Sequence, residues 1–100
     1  MNMRNVLRVV RRNNLTNNTQ KVAYKLLSAN GSWVPRTELE RIASSAPARA
    51  RDLRKSQFGN FRVDCSPANV LKRTGTKHTF FYRIKPGTVT KQQVETVFRI

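Results

Sequence analysis

Acidic side chains are scarce in this chain. Five Asp and Glu stand against twenty Lys and Arg in 100 residues, a formal net charge of +15 with neutral histidine. Small domains ordinarily carry about 2 to 8 units of net charge. A larger surplus repels itself and destabilises the compact state. A polyanion, either nucleic acid or an anionic membrane, is the natural compensating partner, and nucleic acid ranks first.

Other shortages narrow the chemistry. Cys65 is the only cysteine, so no internal disulfide forms and a reduced, intracellular setting fits. His78 is the only histidine. Cys65 and His78 facing each other across a hairpin would leave a tetrahedral metal site half empty. No third group is at hand to activate such a pair as a nucleophile. The acids Glu38, Glu40, Asp52, Asp64 and Glu95 are scattered, whereas a two-metal nuclease needs convergent carboxylates. No glycine-rich phosphate cradle is present. The expectation is a protein that is not an enzyme, with no catalytic residue, no metal and no cofactor. No apolar run approaches the ~20 residues that span a bilayer. The early NVLRVVRR lacks the apolar core of a signal peptide. No membrane association is expected.

What remains suffices for one domain with two softer ends. Hydrophobic residues make up 38% of the chain, enough for one modest core. Residues 1–18 form a basic arm in which Val6, Leu7, Val9 and Val10 stand among four arginines. The arm is either a short docked helix or a segment lying on phosphate. The polar stretch LTNNT that follows is a hinge or cap.

Periodicity then sets out the elements. Val22, Ala23, Leu26 and Leu27 form a stripe of 3.6-residue period, which predicts a first helix from Asn18 or Thr19 to Ala29. Asn18 is its expected cap, and Asn30-Gly31 stops it. Trp33 and Val34 read as a short extended piece before Pro35, with Trp33 in the core. A second helix is expected from Pro35 to Ala43, facing Leu39, Ile42 and Ala43 inward. After a turn at Ser44-Ser45-Ala46, a third helix opens at Pro47 and is expected to reach Lys55 or Ser56. Ser45 is its better cap by chemistry.

Next the period falls to two. Phe61 and Val63 alternate with Arg62 and Asp64, predicting a strand over Asn60–Cys65. The basic loop SPANVLKRTGTK separates it from a second strand, His78–Ile84. Last comes a helix from Thr90, with Gln93 completing a capping box and Val89 and Val94 at staple positions. Its patch of Val94, Val97 and Phe98 either docks on the domain or mediates a homodimer; docking is the favoured reading.

The order helix, short strand, helix, turn, helix, strand, loop, strand is that of a winged helix-turn-helix. The predicted class is α+β: a three-helix core with a short β-hairpin wing and an added C-terminal helix. The predicted domain covers residues 19–84, and the C-terminal helix lies within 85–100. A helix fits the major groove of B-DNA, about 12 Å wide. The third helix presents Arg49, Arg51 and Arg54 among small residues. Arginine can bond either guanine or phosphate through two parallel donors. Early residues of such a helix usually reach bases, so Ser45, Arg49 and Arg51 are the base-reading candidates. Arg54 and Lys55, with Lys72, Arg73 and Lys77 of the wing, are the phosphate-holding candidates. Asp52 is placed to orient Arg49 three residues before it.

The stretch WVPRTELERIASSAPARARDLRKSQFGNFRV resembles small helix-turn-helix proteins of bacteriophages and prophages. The matching residues are Leu39 in the first helix of the pair, then Arg49, Asp52, Leu53, Arg54 and Gly59. Tyr82 to Ile84 resembles their closing strand. Two departures are the QF before Gly59 and a longer wing. The resemblance implies a sequence-specific protein of double-stranded DNA, a phage-type transcriptional regulator in the cytoplasm of a bacterial host. It also leaves open a recombination or architectural accessory. A third reading is a protein-interaction module that inhibits a host enzyme. RNA binding is a fourth, with Phe80, Phe81 and Tyr82 as stacking candidates.

Overall fold

The first helix, α1 (Asn18–Ser28), forms because its apolar side chains recur every three or four residues. Val22, Ala23, Leu26 and Leu27 are all buried, as the pattern predicts. In the computed structural model, residues 17–67 and 80–99 are described. Residues 1–16 of the arm and the wing residues Lys72, Arg73 and Lys77 lie outside them. So does His78.

The cap of α1 is one residue earlier than expected. Asn17, not Asn18, is extended, and its Oδ1 accepts the Gln20 amide at 2.8 Å. At the other end both Asn30 and Gly31 have positive φ. A side chain at Gly31 would collide with the Pro86 ring, 2.6 Å from where Cβ would stand.

Strand β1 (Val34–Pro35) is only two residues long, yet it decides the sheet. It pairs antiparallel with β3 (Phe80–Ile84), which also pairs antiparallel with β2 (Val63–Pro67). The order is β1-β3-β2, with β3 central. The expected two-stranded hairpin is thus joined by a third strand from the segment before the helix pair.

Between them lie α2 (Arg36–Ile42) and α3 (Ala46–Asp52). Pro35 stands as N-cap of α2 rather than within its first turn. Leu39 and Ala43 are buried, but Ile42 is 39% exposed, against expectation. The short α2 turns its last apolar residue past the edge of the core.

α3 begins one residue early and ends three short of Lys55. Its carbonyls are claimed by a tighter turn. The amides of Arg54 and Lys55 bond back to Arg51 and Asp52, a 3-10 pattern, and the Phe61 amide takes the Leu53 carbonyl at 2.7 Å. A 3-10 turn (Ser56–Phe58) follows and closes at Gly59, φ 109°. A Cβ at Gly59 would lie 2.8 Å from the Phe61 ring and 2.9 Å from the Gln93 carbonyl, so only glycine fits. Asn60 is also left-handed, and β2 therefore starts at Val63, not Asn60.

The core joins Val34, Val63, Tyr82 and Ile84 of the sheet to α1, α2 and α3. Trp33 is not in this core. It is half-buried on the opposite sheet face, with the Arg83 guanidinium 4.5 Å from its ring centre and Asp64 3.0 Å beyond Arg83.

The last helix, α4 (Lys91–Phe98), carries the expected capping box: Gln93 N–H donates to Thr90 Oγ1, and Thr90 N–H donates to Gln93 Oε1. Val94, Val97 and Phe98 are 0%, 2% and 7% exposed. Helix α4 thus docks on its own domain, and a homodimer through those three residues would have to undock it. Among the described residues, four helices and a three-stranded antiparallel sheet make a small α+β domain. Its coarse shape is compatible with a winged-helix-like fold.

Candidate nucleic-acid interface

Helix α3 is held by one narrow stripe. Ala46, Ala50 and Leu53, spaced four and three apart, are 0%, 1% and 0% exposed. Two alanines on the inner side let α3 lie close against α1, the helix it contacts most. The remaining circumference carries Pro47, Ala48, Arg49, Arg51 and Asp52. At 3.6 residues per turn, Ala48 and Arg51 lie opposite the stripe, and Arg49 lies about 60° from Ala46. Arg51 is accordingly exposed, while Arg49 is part-buried at the flank.

Asp52 organises this side. Its carboxylate lies 3.2 Å from Arg49 Nε through Oδ2 and 3.2 Å from Lys55 Nζ through Oδ1. Arg49 Nε is buried and makes no aligned hydrogen bond, so its contact is an ion pair. Half-exposed pairs of this kind contribute about 0.2–1 kcal/mol. Their main effect here is to fix where Arg49 points. The orienting role expected of Asp52 is realised, with Lys55 as a second partner.

Ser45 stands at the N-cap position of α3 without capping it. It is left-handed, φ 53° and ψ 43°, and its side chain makes no cap hydrogen bond. A capping serine needs extended backbone to turn its oxygen onto the next amides. The expectation of a serine cap is therefore corrected, and the exposed hydroxyl is not engaged in capping.

Arg54 is also engaged within the chain. Nε and Nη2 donate to the Val63 carbonyl at 3.1 and 2.6 Å, tying the end of α3 to β2. Lys55, 61% exposed in its side chain, remains at the surface beside Asp52.

Tyr82, buried on β3, is a group that the sequence does not single out for the duplex interface. Tyr82 lies opposite Cys65 in the β2–β3 register. Burial pushes the Tyr82 phenol above its usual value, and the adjacent Cys65 thiol pushes it the same way. The guanidiniums of Arg36 and Arg51 pull it back. Arg36 is itself ion-paired to Glu40. In sequence Tyr82 reads as a stacking candidate and as part of the closing strand, and no local signal marks Arg36.

The acids are mostly occupied by nearby cations. Glu38 meets Lys25 at 3.7 Å, and Asp64 meets Arg83 at 3.0 Å. Glu40 and Asp52 are paired as above. Arg51 and Arg62 have no carboxylate partner among the described residues. No cluster of three or more His, Cys, Asp or Glu that could hold a metal occurs among the described residues. No described helix is long and apolar enough to cross a membrane. No family model, curated protein or solved structure matches the chain. The phage and prophage resemblance therefore rests on the quoted residues.

Proposed function

We propose that this chain is a winged helix-turn-helix protein that binds double-stranded DNA with sequence preference, as a phage-type transcriptional regulator. One observation carries the reading. Helix α3 rests on a buried Ala46-Ala50-Leu53 stripe, and its outward long side chains are cationic except for Asp52, which orients two of the cations. The connectivity supports it: a helix pair joined by a three-residue turn, then a hairpin whose inner strand pairs with β1.

In this reading α3 enters the major groove. Pro47 and Ala48 are small enough to let it approach the base edges. Arg49, held by Asp52, and Arg51 reach bases together with Ser45 at the helix start. Lys55 and the wing residues Lys72, Arg73 and Lys77 hold phosphate. Each phosphate contact releases counterions, so affinity falls steeply with salt while base contacts keep the preference. Regulation follows from occupying a site, not from chemistry.

Selection from a random duplex library at about 150 mM salt tests this. An enriched motif supports it, and the symmetry of that motif reports one or two copies per site. Binding without enrichment favours an architectural or recombination accessory. No binding overturns the reading and favours a protein partner.

A further inference from the structure

The end of α3 and the outer edge of β2 meet at one side chain. The Lys85 amide donates to the Arg62 carbonyl at 2.8 Å, which fixes the ladder alternation. In an antiparallel pair, residues whose backbone groups point at the partner alternate with residues whose groups point away. Residues 62, 64 and 66 therefore address β3, and the Val63 carbonyl faces the outer edge. Arg54, one residue beyond the C-cap Leu53, fills that position with a two-pronged bond, Nε at 3.1 Å and Nη2 at 2.6 Å. The backbone between them is closed as well, by Asn60 N–H to the Lys55 carbonyl at 2.9 Å and Phe61 N–H to the Leu53 carbonyl at 2.7 Å.

We propose that Arg54 is a positioning residue that locks the end of α3 to β2 and sets the angle between helix and hairpin. The clamp stands on its own geometry; its effect on binding rests on the duplex-binding reading. A positioning residue changes which sequence is preferred. A phosphate contact changes how strongly salt weakens every sequence. Capping an outward carbonyl also removes an acceptor from an edge strand, where such groups invite strand addition.

The experiment compares the parent with Arg54→Gln and Arg51→Ala on preferred and random duplexes across a salt series. Amide NMR spectra are recorded without nucleic acid. Arg54→Gln is expected to keep the parental salt slope and to narrow the preferred-to-random ratio about five- to tenfold, the size of a displaced base contact. A slope flattened by about 0.9 makes Arg54 a phosphate contact and overturns the proposal. Should the parent bind no duplex, the duplex reading fails and the spectra decide the clamp. Shift changes running through residues 46–53 and 63–65 support it; changes confined to the neighbours of residue 54 overturn it. Should Arg54→Gln fail to fold, Arg54→Lys replaces it, keeping the charge without the fork. Parental preference in that variant overturns the proposal, and narrowed preference at parental slope supports it.

Discussion

Helices α3 and α4 are nearly equal in length, seven and eight residues, and are built for opposite ends. α4 caps itself with Thr90 and Gln93, buries Val94, Val97 and Phe98, and is bonded from outside at two points. Gln20 Nε2 donates to the Val97 carbonyl at 3.2 Å, and Gln93 Nε2 donates to the Asn60 carbonyl at 3.1 Å. α3 has no side-chain cap and starts from a left-handed serine. Its inner stripe is two alanines and a leucine. α4 spends its side chains on holding the domain. α3 keeps only enough apolar surface to stay seated and leaves long cations outside. Under the proposed duplex-binding reading, stability and contact surface are divided between helices instead of shared within one.

The division is broken most severely by emptying the α4 side. Phe98→Ala should cost about 3–5 kcal/mol in chemical denaturation, while the folded fraction keeps parental duplex affinity. A change in affinity greater than the lost folded fraction would mean that α4 also serves the interface. On the α3 side, Arg49→Ala should cost about 1–3 kcal/mol on a preferred duplex and relax the preference. Its denaturation midpoint should stay near the parental one. Equal losses on preferred and random duplexes would remove Arg49 from the base-reading set. Lys55→Ala should instead weaken both duplexes alike and reduce the salt slope by about 0.9.

The caps sharpen the same contrast at smaller scale. Thr90→Ala should destabilise by about 1 kcal/mol, because it removes a real cap. Ser45→Ala should stay within about 0.5 kcal/mol of the parent, since no cap bond is lost. Thermal melts of the pair decide the point; a Ser45→Ala loss as large as that of Thr90→Ala would show a capping bond in solution.

The features the sequence revealed are those written in neighbouring residues. The α1 stripe, the Asn30-Gly31 stop, the Thr90-Gln93 box and the Phe61/Val63 alternation all have their causes within a turn or a strand pair. What it concealed depends on partners far along the chain. Nothing near Val34 announces that it will pair with Tyr82. Arg54 reads in sequence as a phosphate-holding candidate, and nothing local marks its bond to Val63, because the acceptor is a backbone carbonyl and every residue has one. Helical expectation ran on to Lys55 because Arg and Lys favour helices; the Phe61 amide stops it by taking the Leu53 carbonyl. Trp33 reads as a core residue because it is a single aromatic with no companion stripe, but Arg83 covers it on the far face of the sheet. At the candidate interface, the Arg49–Asp52 pair followed from a spacing of three. The Arg54 bond to the Val63 carbonyl depends on how the sheet meets the helices.

The buried face of α4 has a consequence for how the protein is made. A nascent chain translated as far as Gly87 already contains α1, the helix pair and all three strands. It still lacks Val94, Val97 and Phe98, which are 0%, 2% and 7% exposed in the folded chain. The apolar surface that those three side chains cover in the folded domain is then open. Those side chains belong to the same core cluster as α1, so the core is complete only when α4 is in place, as expected of a domain that folds as one unit.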